Sequence, residues 1–300
     1  MRVLVTGGAG FLGSNTIDAL VARGDVVVAL DDLSTGSRGN LAPDVPLRVA
    51  SIADERALFE AVRGEGFDAI VHCAAKTKVV ESMEKVDLYH RVIVDGTRAV
   101  VKLAEDRHVQ ILVNISTGGA LYGETPVCAD ERSRTDPPSN YGKFKLEAER
   151  IVAAAQVPNI TLRLANIYGP RQRTDLEGGV VAIFAARWRK KEPITIFGDG
   201  NDERDYVYVA DAVDAIASSF AGRWTGVYNV GTGVATSVNA LIAALREQLG
   251  PPPDIRHAPE RAGGVELDRS CLDISKAARD GFWRPKTSLP AGLALTVKAA

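Results

Sequence analysis

Cysteine is scarce in this chain: Cys73, Cys128 and Cys271 are the only three in 300 residues, an odd number without close pairing. That pattern predicts no disulfide framework and no zinc site, and it fits a reducing compartment. Excess charge of one sign is also missing. Lys and Arg number 36 against 38 Asp and Glu, a net charge of -2. With no basic surplus to neutralise phosphates, general nucleic-acid and membrane-surface roles are excluded. A phosphorylated small ligand would need only a few local arginines. No apolar run approaches the roughly 18 residues of a membrane span. The opening MRVLVTGGAG enters a strand at once, leaving no room for a charged region, an apolar stretch and a cleavage site. A cytoplasmic location is the expectation. Internal repeats and low-complexity segments are absent too.

What the chain does have is enough material for a full α/β core plus a smaller lobe, at 46% hydrophobic and 25% charged. The first half alternates short β-branched runs with helical stretches, the rhythm of a parallel sheet with crossover helices. Strands are predicted at residues 3–6, 26–30, 47–50, 69–72, 111–115 and 160–164, each a nearly continuous apolar run. Helices are predicted at 12–23, 140–155, 180–190 and 238–249. After about Pro170 the rhythm loosens into shorter elements divided by turns such as GDGNDER. A soft boundary there predicts units of 1–170 and 171–300, with the second lobe interleaved rather than tethered by a linker.

VLVTGGAGFLG runs from a buried strand through Gly7, Gly10 and Gly13 into a helix. Glycines at this spacing allow a tight turn, close backbone approach to a pyrophosphate and close helix–strand packing. The helix amino terminus adds free N–H donors for the anion. The second strand, VVVAL, ends in Asp31, eighteen residues past Gly13. A carboxylate there accepts ribose hydroxyls and repels a 2′-phosphate, which favours NAD over NADP. The bland alternative is that Asp31 and Asp32 merely open a turn. The fold class expected is therefore α/β, a Rossmann-type doubly wound parallel sheet.

Tyr141 and Lys145 lie four apart, on one face of a predicted helix. An ammonium, helped by a cationic nicotinamide, pulls a phenol down from about 10 toward a general base's working range. Alone, such a pair is usually a surface contact. Here Ser116 and Thr117 precede it at the carboxyl end of a predicted parallel strand, the edge where ligands bind in open α/β sheets.

In their order, TGGAGFLGS, DDLSTG, HCAAKTKVVES, STGGALYGE, PPSNYGKFKLEAE, RLANIYGPRQ, IFGDGNDERDYVYVAD and KAARDGFWRP resemble the extended short-chain dehydrogenase/reductases, within them the UDP-glucose 4-epimerase group. The likeness spans nearly the whole chain. It implies that NAD is held by Gly7, Gly10, Phe11, Leu12 and Gly13, by Asp31, Asp32, Leu33, Ser34 and Gly36, and by Ile52, Ala74 and Ala75, with Tyr141 and Lys145 at the nicotinamide end. It implies that Tyr141 takes the proton of the sugar 4-hydroxyl, that Lys145 holds the nicotinamide ribose, and that Thr117 bridges hydroxyl and tyrosine. Thr117 is preferred to Ser116 because STGGA carries one extra residue, and a rigid count back from Tyr122 would land on Gly118. Asn166, Arg204 and Arg261 resemble the residues that hold the substrate diphosphate, a task suited to guanidinium forks. C4 would give its hydride to NAD, the 4-keto sugar would turn over, and hydride would return to the opposite face. A UDP-sugar and a homodimer are the implied partners. Apolar Val94, Val101, Leu146 and Val152, on helices near 88–107 and 140–155, would pair in a four-helix bundle.

Departures from the family pattern are Ser51 for an aspartate at the adenine, Ile93 for an asparagine, and Gly264 for an aspartate after Arg261. Lys76 and Lys78 are unusual in a segment more often uncharged. Lys78, like Ser116, is a candidate substrate contact, and a lysine there would suit a glucuronate carboxylate. A 4,6-dehydratase fits poorly, because Gly118 and Gly119 follow Thr117 where Asp-Glu would be needed. UDP-glucuronate epimerase or decarboxylase remains open, as does a non-catalytic nucleotide-binding regulator. The expected reaction is 4-epimerisation of UDP-glucose and UDP-galactose, with no metal.

Overall fold

In a computed structural model, which describes residues 1–175, 179–221, 223–259 and 267–299, thirteen strands are assigned. They are β1 (Arg2–Thr6), β2 (Val26–Asp31), β3 (Leu47–Val49), β4 (Ala69–His72), β5 (Ile111–Thr117), β6 (Asn159–Leu164), β7 (Asn166–Tyr168), β8 (Ile194–Phe197), β9 (Glu203–Tyr208), β10 (Gly226–Val230), β11 (Ala235–Ser237), β12 (Ile255–Ala258) and β13 (Arg269–Ser270). The helices are α1 (Phe11–Ala22), α2 (Glu55–Ala61), α3 (Val79–Glu84), α4 (Val86–His90), α5 (Gly96–Asp106), α6 (Asn140–Ala153), α7 (Val180–Lys190), α8 (Val209–Ser219), α9 (Val238–Leu249), α10 (Ser275–Arg279) and α11 (Leu289–Ala299).

Seven strands form one sheet in the order β10-β6-β5-β4-β1-β2-β3, every pair parallel. The order reverses between β1 and β4, which opens the crevice of a doubly wound sheet at the strands' carboxyl ends. Apolar runs account for this. Val3, Leu4, Val5, Ile70, Val71, Leu112 and Val113 are buried, alternate strand positions feeding a core on each face. Each such side chain contributes about 1.5–3 kcal/mol on full burial. All six strands expected from the first half are present, within two residues at each end. β10, from the second half, completes the sheet.

Side-chain caps set the helix starts that matter for the site. Ser139 accepts from Gly142 N at the start of α6, and Ser237 from Ala240 N at the start of α9. Between α4 and α5 the helix continues as a π-helical turn at Arg91–Asp95, where Thr97 Oγ1 donates to the Ile93 carbonyl. Ile93 itself fills a small core with Tyr89 and Ala148, against Tyr141 and Phe144, so an apolar residue there is explained by packing.

A second sheet joins β11, β9 and β13, with β7 pairing β9, and β12 pairs β8. The KAARDGFWRP segment anchors this region. Phe282 and Trp283 are buried, Trp283 Nε1 donates to the Asp211 carbonyl at 2.9 Å, and Lys276 Nζ lies 4.0 Å over the Tyr228 ring.

Two expectations are corrected. Cys128 and Cys271 form a disulfide across 143 residues of sequence. The backbone brings them together: Ala129 N donates to the Cys271 carbonyl at 2.9 Å, and Asp273 N to the Ala129 carbonyl at 2.8 Å. Of the four residues expected to pair across a bundle, Val94, Val101 and Val152 are buried inside the chain, so they are not free for a partner, and Leu146 is half-buried. Outward from α5 and α6 stand charges instead, with Arg98 paired to Asp95 and Glu147. Among the described residues no helix is long and apolar enough to cross a membrane.

Candidate active site

A cleft of about 850 Å³ lies between the carboxyl edge of the large sheet and the small sheet. One wall is the glycine turn. A Cβ on Gly13 would stand 2.1 Å from the Gly7 carbonyl oxygen, and one on Gly7 2.8 Å from the Ala74 backbone. Gly7 also has φ +68°, which side chains rarely adopt. The turn thus packs against itself and against β4, leaving backbone N–H groups at the start of α1 to meet an anion.

Asp31, nearly buried at the end of β2, accepts from Ala9 N at 3.0 Å and Leu33 N at 2.8 Å. Burial pushes its carboxyl up, and those two donors pull it back. A carboxylate has about four acceptor sites, so capacity remains for ribose hydroxyls. Phe11, Leu12, Asp32, Ser34, Ile52, Ala74 and Ala75 line the cleft as well, as does Ser51. Leu33 and Gly36 do not. Leu33 serves through its backbone N–H, and Gly36 packs on the Asp31 carboxylate, where a Cβ would come within 2.8 Å of it.

The reactive set sits where β5 meets α6. Thr117 stands against the Tyr141 hydroxyl and favours its ionised form, while Ser116 is engaged by Glu149. Burial pushes the phenol up to about 12, with Thr117 working against it. Lys145 Nζ donates to the Ile115 carbonyl at 2.6 Å. Burial draws that ammonium down to about 8, against the pull of Glu149. The chain's own groups leave Tyr141 protonated near neutral pH, and the lowering expected of the ammonium together with a cationic nicotinamide needs the positive ring of the cofactor.

Ser116 also lines the cleft, but its hydroxyl proton goes to Glu149 Oε1 at 2.5 Å. Lys78 begins α3 next to Glu81 and Asp175 and is not among the residues that line the cleft, although Thr77 and Val79 on either side of it are. Lys76 lines the cleft instead and donates to Ser34 Oγ at 3.1 Å.

Asn166 and Arg204 line the opposite wall. Asn166 is in register with Tyr206, and Arg204 is two residues away along β9, so the three side chains share one face of the small sheet. Arg261 and Gly264 lie outside the described residues. Several lining residues were not assigned from sequence. Arg173 Nη1 donates to the Thr35 carbonyl at 2.9 Å, bridging YGPRQR to the ribose loop. Tyr206 and Gln172 line the cleft with a buried hydroxyl and a buried amide oxygen that have no hydrogen-bond partner among the described residues. Gln172 and Tyr206 stood in the quoted motifs RLANIYGPRQ and IFGDGNDERDYVYVAD, with Arg173 just past the first, but nothing in their spacing gave those side chains a task.

A parallel sheet with a glycine turn at its switch point, and a Thr–Tyr–Lys set at the adjoining strand end, defines a nicotinamide-dependent oxidoreductase site of the short-chain type. The sequence profile described as the NAD dependent epimerase/dehydratase family matches residues 3–231, and the chain belongs to that family. The UDP-glucose 4-epimerase of Mycolicibacterium smegmatis is 36% identical over 319 residues, 99% of this chain and 98% of that protein. The structure of Thermotoga maritima UDP-glucose 4-epimerase with UDP-glucose aligns at TM-score 0.94 and 36% identity, covering 100% of this chain and 98% of that one. The Thermus thermophilus UDP-glucose 4-epimerase in complex with NAD aligns at TM-score 0.93 and 38% identity, with the same coverage. A UDP-glucuronic acid decarboxylase of Arabidopsis thaliana is more distant, at 30% identity over 99% of this chain and 68% of that protein.

Proposed function

We propose that the chain is an NAD-dependent 4-epimerase interconverting UDP-glucose and UDP-galactose. The observation that carries this is the gathering of Thr117, Tyr141 and Lys145 in the same cleft as the glycine turn. Bound NAD would supply the hydride acceptor and a positive ring. Tyr141 takes the 4-hydroxyl proton and later returns it. Thr117 keeps the phenol and hydroxyl in line. Lys145, a donor anchored on Ile115, reaches the nicotinamide ribose. Asn166 and Arg204 grip the diphosphate, with Arg261 assigned the same task, and so hold the sugar while its ring turns over.

The structure bears on the alternatives. A Cβ on Gly118 would stand 2.5 Å from Leu272 Cδ1, and one on Gly119 3.1 Å from Asn166 Oδ1, so the acidic pair of a dehydratase would have to displace both side chains. The acidic-sugar reading relied on Lys78, which is not among the residues lining the cleft. Neutral hexoses are the substrate class that remains supported. The regulator reading leaves the buried Thr117–Tyr141–Lys145 set without a purpose. We divide the chain near residue 170 into an NAD-binding part and a nucleotide-sugar-binding part that interleave. A cytoplasmic enzyme is our reading, and there Cys128 and Cys271 would be held as thiols. We also propose a homodimer, through the surface where Met83 and Val86 are exposed beside His90 and Phe144, whose rings meet edge-on at 5.3 Å.

The deciding experiment incubates the holoenzyme separately with UDP-glucose, UDP-galactose and UDP-glucuronate and follows products by NMR. Interconversion of the first two is expected. Turnover of the glucuronate alone would overturn the neutral-sugar assignment. Light scattering giving twice the 32.0 kDa chain mass would support the dimer, and a monomer mass would remove it.

A further inference from the structure

Three consecutive residues at the end of β5 are each set against α6. Thr117 stands against Tyr141, the Ile115 carbonyl accepts from Lys145, and Ser116 Oγ donates to Glu149 Oε1. Tyr141, Lys145 and Glu149 follow one another at four-residue spacing and so share a helix face. Two of the three have a role in the chemistry. Glu149 has none yet.

Glu149 and Arg163 are both buried. Arg163 Nε reaches Glu149 Oε1 at 3.0 Å and Oε2 at 3.2 Å, and Nη2 reaches Oε2 at 2.7 Å. Arg163 Nη1 goes on to the Tyr122 hydroxyl at 2.8 Å, and that hydroxyl donates to Asn229 Oδ1 at 2.8 Å. Asn229 Nδ2 donates to the Ala129 and Asp273 carbonyls at 2.9 and 3.1 Å. The network thus crosses from α6 through β6 to β10 and the loop beyond. Stability alone does not call for charge here, since well-packed apolar replacements for buried ion pairs are often as stable.

The charge has a neighbour that needs it. The titratable and charged groups around the Lys145 ammonium are Tyr141 and Glu149 on its own helix, and His72 and Cys73 at the end of β4. Burial holds His72 down at about 3 and Cys73 up at about 12, so both are neutral at pH 7. Glu149 is the carboxylate of that set, and it favours the charged lysine.

We propose that Glu149 is a positioning residue for the reaction: seated between Ser116 and Arg163, it fastens the end of β5 to α6 and keeps the Lys145 ammonium charged. This rests on the epimerase reading only through the roles given to Tyr141 and Lys145. The ammonium orients the cofactor ribose and supports the phenolate, so an enzyme whose lysine loses its proton early loses turnover early.

The test is a titration of ¹⁵N-lysine-labelled NAD holoenzyme by NMR, with Lys145 assigned through Lys145→Arg, alongside the pH profile of kcat. Glu149→Gln keeps shape and removes charge. The Lys145 midpoint should fall by about one pH unit or more. The alkaline limb of kcat should move down with it, while KM for UDP-glucose stays within about twofold. Removing the carboxylate weakens only the protonated lysine, so the loss grows with rising pH and fades on the acid side. Ser116→Ala leaves the ion pair and loosens the strand, lowering kcat roughly three- to tenfold at all pH with the midpoint unmoved. A folded Glu149→Gln protein with an unchanged midpoint and an unchanged pH profile overturns the proposal, whatever its melting temperature. If that variant does not fold, Glu149→Gln with Arg163→Met removes both charges together. A smaller fall in the same direction is expected there, because the opposing Arg163 charge leaves with the carboxylate, and an unmoved midpoint again overturns it. Wild-type protein that leaves UDP-glucose untouched would defeat the epimerase reading, and the lysine midpoints would still decide the part played by Glu149.

Discussion

The two walls of the cleft are built in opposite ways. The cofactor wall comes from contiguous stretches, a strand–turn–helix at residues 3–22 and a strand end facing a helix with residues every fourth position. The sugar-nucleotide wall comes from strands that meet across the fold: β7 in register with β9, β9 with β13, and β8 with β12. In the proposed function, chemistry falls to a few atoms of the first wall, and recognition is shared among several side chains of the second. Substitutions can therefore test whether the walls truly divide chemistry from grip.

The largest effect belongs to Tyr141→Phe. It removes one hydroxyl and little volume, so binding persists while general-base catalysis worth roughly 100- to 10,000-fold disappears. Steady-state kinetics should show kcat falling by that factor with KM nearly constant. A comparable rise in KM would mean that the cofactor wall also grips the sugar.

Gly13→Ala should come next. The added methyl would meet the Gly7 carbonyl oxygen at 2.1 Å, a backbone clash that only a shift of the turn relieves. Purified protein should lose bound NAD and the activity that depends on it, with the far-UV spectrum retained. Retention of stoichiometric NAD by mass spectrometry would show that the turn adapts.

Asp31→Ala sharpens the same wall. A residue that only accepted ribose hydroxyls would, once removed, tilt preference toward NADP. Because Asp31 also holds Ala9 N and Leu33 N, its loss loosens both the glycine turn and the loop after β2. Calorimetry should show weaker binding of both dinucleotides, NAD by roughly tenfold or more, as expected for one charge-assisted hydrogen bond. Unchanged NAD affinity would reduce Asp31 to a turn residue.

Arg204→Ala probes the other wall. One arginine–phosphate contact contributes about 1.5–3 kcal/mol, or roughly 10- to 150-fold in affinity. KM for UDP-glucose should rise by about that much with kcat changed far less. An equal fall in kcat would place Arg204 in the chemistry and erase the division between the walls.

The same division explains what could be read before the structure. Gly7, Gly10, Gly13, Asp31, Thr117, Tyr141 and Lys145 carry their meaning in local spacing, because a tight turn and a helix face are local geometry. Lys76 and Lys78 are two residues apart, yet one bonds Ser34 within the cleft and the other caps α3 outside it. Only the path of the loop separates them. Ser116 and Thr117 were both plausible hydroxyls, and only the burial of Glu149 behind the strand assigns the first to the network. β10 joins the large sheet from sixty residues beyond β6, a pairing that no periodicity announces. Cys128 and Cys271 were set aside because 143 residues part them, and folding returns them to a Cα separation of 4.5 Å.

That disulfide supports the smallest expected effect on activity. It ties the loop after β5 to the residue after β13, but it does so where other bonds already make the join. Glu124 accepts from Asp268 N and Arg269 N, Arg269 Nη1 donates to the Thr125 carbonyl, and Ala129 exchanges two backbone hydrogen bonds with the 271–273 segment. Neither cysteine lines the cleft. Cys128→Ser should therefore leave kcat and KM within about twofold. Its effect falls on the unfolded chain, which gains freedom when a long loop is opened, typically about 2–4 kcal/mol. For a chain of this size that is a fall of roughly 4–16 °C in melting temperature, read by differential scanning calorimetry in the absence of reductant. Dithiothreitol should lower the wild type by the same amount and leave Cys128→Ser where it is. A tenfold rise in KM on reduction, with the fold intact, would show instead that the tie holds the sugar-nucleotide wall in place, and the grip attributed to Asn166 and Arg204 would then depend on the oxidised cysteines.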